Sequence, residues 1–245
     1  MSMNTNGEYR VGDALEELKE IPDESAQLIH LDDAWSRPMR YNGMGVTYST
    51  HDLKTSFKIV DACWDCLAEG GWLVADADDW FIIKLTEYLI ETYGNVAETY
   101  DGGGYRRIGG VTYQRSDGGV DRGGAGQYLR NGGYHVLFGH KGETDFSYES
   151  ARQIASRPKD KFGWKSVKPL EPYRAWTEAL TEEGDLVVEP CAGTAPASIA
   201  AQQLGRNWIA VDIESEAKKA YTRRRNSVFQ AVEQPTLFES PGERS

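Results

Sequence analysis

The sequence predicts one α/β domain built on a doubly wound, mostly parallel sheet with an antiparallel edge strand. Three observations carry that expectation. Short apolar runs alternate with amphipathic segments, the pattern of βαβ units. Two of the runs, Leu28–Leu31 and Asp185–Val188, lead into acidic or small-residue turns, where open α/β sheets place their ligands. A glycine-punctuated middle stretch joins the two ends.

The elements follow in order. Tyr9–Gly12 reads as a strand, and Asp13-x-x-Glu16 as an acidic capping box opening a helix with Leu15 and Leu18 inside. Pro22 and Asp23 stop it, and strand Ala26–Leu31 runs into Asp32-Asp33-Ala34-Trp35. Residues 36–54 form a loop; helix Thr55–Leu67 carries Phe57, Val60, Trp64 and Leu67 on one face. Gly70-Gly71 should turn the chain into strand Trp72–Ala75, with Asp79 capping helix Trp80–Thr92. Asp76, Asp78 and Asp79 could hold a cation; caps and rim are the preferred reading, with no metal. Asn95–Tyr100, Val111–Gln114 and Tyr134–Gly139 are strand-like, separated by glycine turns. Glu171–Thr181 is a helix with Tyr173, Trp176 and Leu180 on one face, and Glu216–Arg225 a helix whose basic end suits its dipole. The division is thus 9–100, a Gly-rich and basic insertion 101–167, and 168–225 within one domain 1–231, then a flexible tail 232–245.

The 245 residues, 40 % of them hydrophobic, suffice for a core with a modest insertion. A net charge of −11 argues against a generally basic nucleic-acid coat. Between 104 and 168, however, twelve basic side chains face six acidic ones, which suits a phosphate backbone. Arg106, Arg107, Arg115, Arg122 and Arg130 are the candidate contacts; a solvated loop is the alternative. Three cysteines and no secretory signal point to a reducing, cytoplasmic setting. Cys63-x-x-Cys66 lies inside a helix, so core packing is preferred over redox or zinc chemistry. No apolar run approaches the roughly 18–20 residues of a membrane span.

The most informative stretch is Asp185–Glu214. It reads as strand, small-residue turn, helix and strand, with Pro196 in the first helical turn, Gly205 at the helix end and strand Trp208–Val211 ending in Asp212. Gly193 permits close backbone approach to a ligand. Asp212 follows Glu189 by 23 positions, near the spacing at which a carboxylate reaches a ribose diol. A crossover without a ligand is the alternative.

Glu189-Pro190-Cys191-Ala192-Gly193-Thr194-Ala195-Pro196, then Leu204-Gly205-Arg206 and Asp212, resemble the cofactor half of the amino-DNA methyltransferases, which use S-adenosylmethionine. The family pattern is Asp-Pro-Phe-x-Gly-Ser-Gly-Thr; Glu189, Cys191 and Ala195 depart from it. Lys168-Pro169 resembles its Lys-Pro segment, and Gly12-Asp13, Ile21-Pro22-Asp23 and Asp32-Asp33-Ala34-Trp35 match the permuted members, whose tetrapeptide is Asp-Pro-Pro-Tyr. The resemblance implies a Rossmann-like methyltransferase sheet and transfer of a methyl group to an exocyclic base amine of double-stranded DNA, by base flipping. It implies Asp32 as amine acceptor, the Asp33 main-chain carbonyl beside it and Trp35 stacked on the base. Asp13, Lys168, Glu189, Pro190, Cys191, Ala192, Gly193, Thr194 and Asp212 would surround the cofactor.

Adenine N6 is favoured, because the family's adenine enzymes usually carry Asp at this position and its N4-cytosine enzymes Ser; N4-cytosine is the runner-up. Asp33-Ala34 removes two stiffening prolines and sets a second carboxylate near the base, so a catalytically impaired DNA-binding relative is a rival, as is an RNA methyltransferase. The small segment 142–167 suggests a short recognition site or a homodimer. Gln234-Pro235-Thr236-Leu237-Phe238 resembles peptides that dock on sliding clamps; packing on the domain is the preferred alternative.

Overall fold

A computed structural model describes residues 6–33, 52–96, 102–121, 132–145 and 149–233. Trp35, the loop 36–51, Arg122, Arg130 and the Gln234–Phe238 peptide lie outside the described residues.

Eight strands form one sheet: β1 Gly7–Val11, β2 Ala26–Leu31, β3 Leu67–Ala77, β4 Gly104–Tyr113, β5 Gly133–His140, β6 Arg152–Ala155, β7 Leu186–Pro190 and β8 Asn207–Asp212. Their order across the sheet is β1-β8-β7-β2-β3-β5-β4-β6. The helices are α1 Ala14–Leu18, α2 Leu53–Cys66, α3 Phe81–Tyr93, α4 Glu171–Leu180, α5 Pro196–Gln203 and α6 Ser215–Glu233.

The central strands are apolar on both sides because both faces of the sheet are covered. Alternation sorts their side chains. Ile29, Leu31, Leu73, Ala75 and Leu137 pack with Leu18 of α1, Ile59 and Val60 of α2, and Leu85 and Leu89 of α3. Leu28, Val74, Val136, Phe138, Val187 and Ala210 point the other way, toward Tyr173 and Trp176 of α4, Ile199 of α5 and Tyr221 of α6. The same alternation turns Asp76, next after Ala75, toward the α4 side.

The strand order reverses direction between β7 and β2. Connections run outward from there, to β8 on one side and to β3 on the other, leaving a crevice at the strands' carboxyl ends. Asp13, Asp32, Asp76, the 190–195 turn and Asp212 all sit at or just past strand ends at this edge.

Four expectations change. The antiparallel strand is β5, paired to β3 and β4 inside the sheet, with β6 outermost. The Gly-rich stretch is largely sheet: β4 runs through Gly109-Gly110, where a Cβ on Gly109 would sit 1.9 Å from the Ala151 carbonyl oxygen. Only glycine admits that neighbouring backbone. The short strand Arg152-Gln153-Ile154-Ala155 carries no run of apolar residues to announce it. Finally, β3 begins directly at Leu67 and continues through Gly70-Gly71, with a register irregularity against β2.

Asp78, not Asp79, caps α3. Its Oδ1 accepts from the Trp80 and Phe81 amides at 2.9 and 2.8 Å, while Asp79 meets His135 Nε2 at 2.9 Å. Asp78→Ala should therefore lower stability by about 1 kcal/mol. Asp79→Ala, which touches an exposed pair, should change it by less than about 0.5 kcal/mol. Denaturant unfolding of both variants checks the assignment.

Candidate active site

The turn after β7 is held from five directions. Three of its residues have left-handed backbone: Cys191 at φ 63°, Gly193 at 51° and Ala195 at 49°. For Cys191 and Ala195 that conformation costs roughly 1 kcal/mol each. Pro190 ends the strand on a buried backbone, and Ala192 donates its amide to Val211. Gly193 donates its amide to Asp212 Oδ2 at 2.8 Å, and its carbonyl accepts from the Tyr9 hydroxyl at 2.8 Å. A Cβ on Gly193 would lie 3.0 Å from Trp164 Nε1, so the small residue also lets Trp164 close on the turn. Thr194 Oγ1 accepts from Arg224 Nη1 at 2.8 Å; Arg224 also reaches the Lys168 carbonyl at 2.9 Å.

Glu189 is committed to the fold. Its carboxylate lies under the start of α5, accepting from the Ala197 amide at 3.2 Å and the Ser198 amide and hydroxyl at 2.8 Å. It therefore serves the helix N-terminus rather than facing the crevice. Burial pushes its pKa up to about 7, against the pull of those Ser198 and Ala197 hydrogen bonds and of Arg224. Burial likewise lowers Arg224, which Glu189 opposes.

Asp212 closes β8. Its Oδ1 accepts from the Glu214 amide at 2.8 Å, and burial raises its pKa. A carboxylate offers about four acceptor positions, so two remain. Asp13 sits beside it, since β1 pairs with β8 through Val11 and Asp212. Asp13 is the N-cap of α1, accepting from the Leu15 amide at 2.9 Å. Val11 and Ile213 on either side are 44 % and 55 % exposed, an uncovered apolar ledge beside two carboxylates.

At the end of β2, Asp32 is 44 % exposed at its side chain and is met by Lys168 Nζ at 3.2 Å. The protein packed around Asp32 raises its pKa and Lys168 lowers it; the solvent at its outer edge screens both effects. Asp33 is buried, and its Oδ1 is 3.9 Å from the Cys191 thiol. The expected second carboxylate beside the base is thus turned inward.

Lys168 is the junction. Its ammonium also contacts Asp76 Oδ2 at 2.9 Å and lies 4.0 Å from the Tyr134 ring centre. Burial alone would depress it, but Asp32 and Asp76 push its pKa well above the usual lysine value. Asp76 accepts a further hydrogen bond from the Tyr173 hydroxyl.

The structure thus gathers Asp13, Asp32, Asp33, Lys168, Gly193, Thr194 and Asp212 along one edge of the sheet. Sequence reasoning missed Asp76, Tyr134 and Tyr173 as partners of Lys168, and Arg224 behind the turn. Tyr173 was legible only as an inward helix position, and Arg224 only as a basic helix end. Arg106 and Arg107 are not brought to the site. They line a cleft of about 520 Å³ with Trp72, Phe138, His140 and Trp176, toward the other end of the sheet. Their place early in β4, below the level of Asp76, is the reason. Arg115, just past β4, lies at the site's end of the sheet and pairs with Asp117. So does Arg157, which stacks 4.1 Å over Tyr113 and pairs with Asp121.

No family model matches this sequence, and no curated protein does. Solved structures do match. The PvuII DNA methyltransferase, cytosine-N4-specific, aligns with TM-score 0.67 and 15 % identity over 93 % of each chain. M1.HpyAVI, solved with SAM, gives 0.62 and 16 %, covering 89 % of this chain and 98 % of that one. TTHA0409 of Thermus thermophilus, described as a DNA modification methylase and solved with S-adenosyl-L-methionine, gives 0.61 and 16 %, over 91 % of this chain and 93 % of that one. The chain therefore has the Rossmann-like sheet found in these DNA methyltransferases.

The buried Glu189 gives stability a sign. Its folded pKa of about 7 exceeds the ordinary 4.5, so the folded state holds an extra proton between those values. Stability must fall as pH rises through that window, by about 3 kcal/mol in all. Glu189→Gln should remove this slope while adding a pH-independent cost from its amide facing donors. Denaturation of both proteins from pH 4.5 to 7.5 measures the difference.

Proposed function

We propose that this protein is an S-adenosylmethionine-dependent DNA methyltransferase acting on an exocyclic base amine, with adenine N6 favoured. The observation that carries this reading is the meeting, at the switch point of the sheet, of Asp32 on β2 with the glycine-bearing turn of β7.

The residues fit the cofactor. Asp212 and Asp13 present carboxylate oxygens where ribose hydroxyls and an adenine amino group are donors. Val11 and Ile213 supply the apolar contact a purine ring would cover. The cofactor, when bound, supplies an electrophilic methyl group on a sulfonium. This chain's residues do the rest. An aromatic amine is a weak nucleophile because its lone pair is delocalised into the ring. Asp32, accepting from one N–H, and the Asp33 carbonyl, accepting from the other, orient the lone pair and localise it. As the new N–C bond forms, nitrogen becomes cationic, and the carboxylate stabilises that charge before the proton is lost. The base cannot reach Asp32 from inside a duplex, so it must be extruded.

The segment from Ser156 to Val167 supports DNA contact. It leads from β6 to the turn, where Phe162 accepts from Arg223 and Trp164 meets Gly193, and its Arg157, Lys159, Lys161 and Lys165 are exposed. The second reading, an N4-cytosine enzyme, is favoured by the cytosine-N4-specific PvuII likeness at TM-score 0.67. Digestion of methyl-labelled DNA to nucleosides separates the two. A catalytically impaired relative would bind the cofactor in calorimetry yet label no DNA.

Asp32→Ala should abolish methyl transfer while changing S-adenosylmethionine affinity by less than about threefold, or roughly 0.6 kcal/mol. Retained turnover would sink the assignment. DNA affinity should fall as salt rises, because neutralised phosphates release counterions. Lys159→Glu with Lys161→Glu should weaken binding on all sequences alike and flatten the salt slope by about 1 for each phosphate no longer neutralised. Reversing Arg106 and Arg107 should do much less.

A further inference from the structure

We infer that Asp76 is a positioning residue: from the end of β3 it holds the Lys168 ammonium between two carboxylates, so that Asp32 stays oriented with acceptor capacity left for the substrate amine. The inference rests on the methyl-transfer reading of this site.

Asp76 is fully buried at its side chain, whereas Asp32 opens to the crevice. A buried carboxylate is tolerated only with a compensating charge and hydrogen bonds. Asp76 Oδ2 receives both, from Lys168 Nζ at 2.9 Å and from the Tyr173 hydroxyl. Tyr173 in turn accepts from the Tyr134 hydroxyl at 3.4 Å, and the Tyr134 ring supports the ammonium face-on. His30 stands edge-on to Tyr173 at 4.3 Å, with Nε2 3.8 Å from Asp76 Oδ1. Burial pulls the pKa of His30 down to about 3, so it is neutral and adds no cation.

The geometry matters for Asp32 because lysine is a point charge on a flexible stem. Lys168 Nζ is 3.2 Å from each oxygen of Asp32. Without a second anchor the ammonium could close fully on Asp32 and occupy the lone pairs that the amine requires. Sharing it with Asp76 leaves part of the Asp32 acceptor set open. The shared cation also keeps Asp32 ionised in a site where burial works against charge.

The test is Asp76→Asn, which keeps an acceptor and removes the charge. Methyl transfer from S-adenosylmethionine to duplex DNA is followed against pH. In parallel, the pH dependence of Lys168 reductive methylation is read by mass spectrometry on the resting protein, which needs no turnover. The groups facing the ammonium are Asp32 on β2, Asp76 on β3, Tyr113 on β4, Tyr134 on β5 and Tyr173 on α4; Arg224 from α6 holds the Lys168 carbonyl. We expect kcat to fall tenfold or more with KM for cofactor and DNA within twofold. The alkaline limb should move down by about one pH unit, because the ammonium loses one of its two carboxylates. Lys168 should become reactive at correspondingly lower pH. Tyr173→Phe, which removes one hydroxyl, should act in the same direction less strongly and carries the test if the first variant does not fold. An unmoved limb and unmoved Lys168 reactivity in a folded variant overturn the inference, even if stability drops. A wild type that methylates no DNA, together with a shifted Lys168 in the variant, would sink the methyl-transfer reading and leave the anchoring of Lys168 standing.

Discussion

A single ammonium group, that of Lys168, ties the two halves of this sheet together at its working edge. Asp32 comes from β2, Asp76 from β3, Tyr134 from β5 and Tyr173 from α4, and each is placed by a different stretch of chain. Removing water from two carboxylates and a cation is costly, and the cost is offset only if all of them are present together. The arrangement therefore favours one geometry. Burial acts against the lysine charge, and the two anions beside it more than reverse that effect. The Lys168 backbone is itself anchored, since Arg224 holds both its carbonyl and the Thr194 hydroxyl. Through that guanidinium the Lys168 segment and the turn after β7 are mechanically one unit.

The turn is the second constraint. It reverses sharply enough to need three left-handed residues, and only one of them is glycine. The strain at Cys191 and Ala195 is opposed by a dense set of hydrogen bonds: Glu189 under α5, Asp212 on the Gly193 amide, Tyr9 on its carbonyl and Arg224 on Thr194. A loop held this firmly is suited to presenting backbone to a ligand without rearranging. The departures from the family pattern fall where this support is densest. Alanine replaces glycine at a left-handed position, and glutamate replaces aspartate where the longer side chain reaches the amides of α5.

Some of this was legible in the sequence. The apolar runs Ala26–Leu31, Leu186–Val188 and Trp208–Val211 announced buried parallel strands, because a strand covered on both faces has no polar side. Asp13 announced itself as a cap by its distance from Glu16, and Asp32, Gly193 and Asp212 by following strands. These are local signals, carried by neighbours within a turn or a strand. They were enough for the fold class, for the carboxyl-end location of the site and for the resemblance to DNA methyltransferases. The glycine-rich middle misled for a physical reason. Glycine marks turns in most contexts, but here it lets β4 run within contact of the Ala151 backbone, a requirement set by a residue more than forty positions away.

What tertiary structure alone decided is which charges meet. Asp76 and Asp78 sit two residues apart in a run of acidic residues. The pleat buries the first against Lys168, ninety-two positions on, and leaves the second to cap a helix. Arg107 and Arg157 belong to the same basic segment, yet strand register sets one low on the sheet and the other at the site's edge. Composition could count those side chains but could not assign them. The sequence by itself determined the repeating strands and helices and the chemistry carried at their ends. The register and alternation of the assembled sheet decided which carboxylate receives the cation, because side-chain direction and neighbour identity exist only once strands from distant parts of the chain lie side by side.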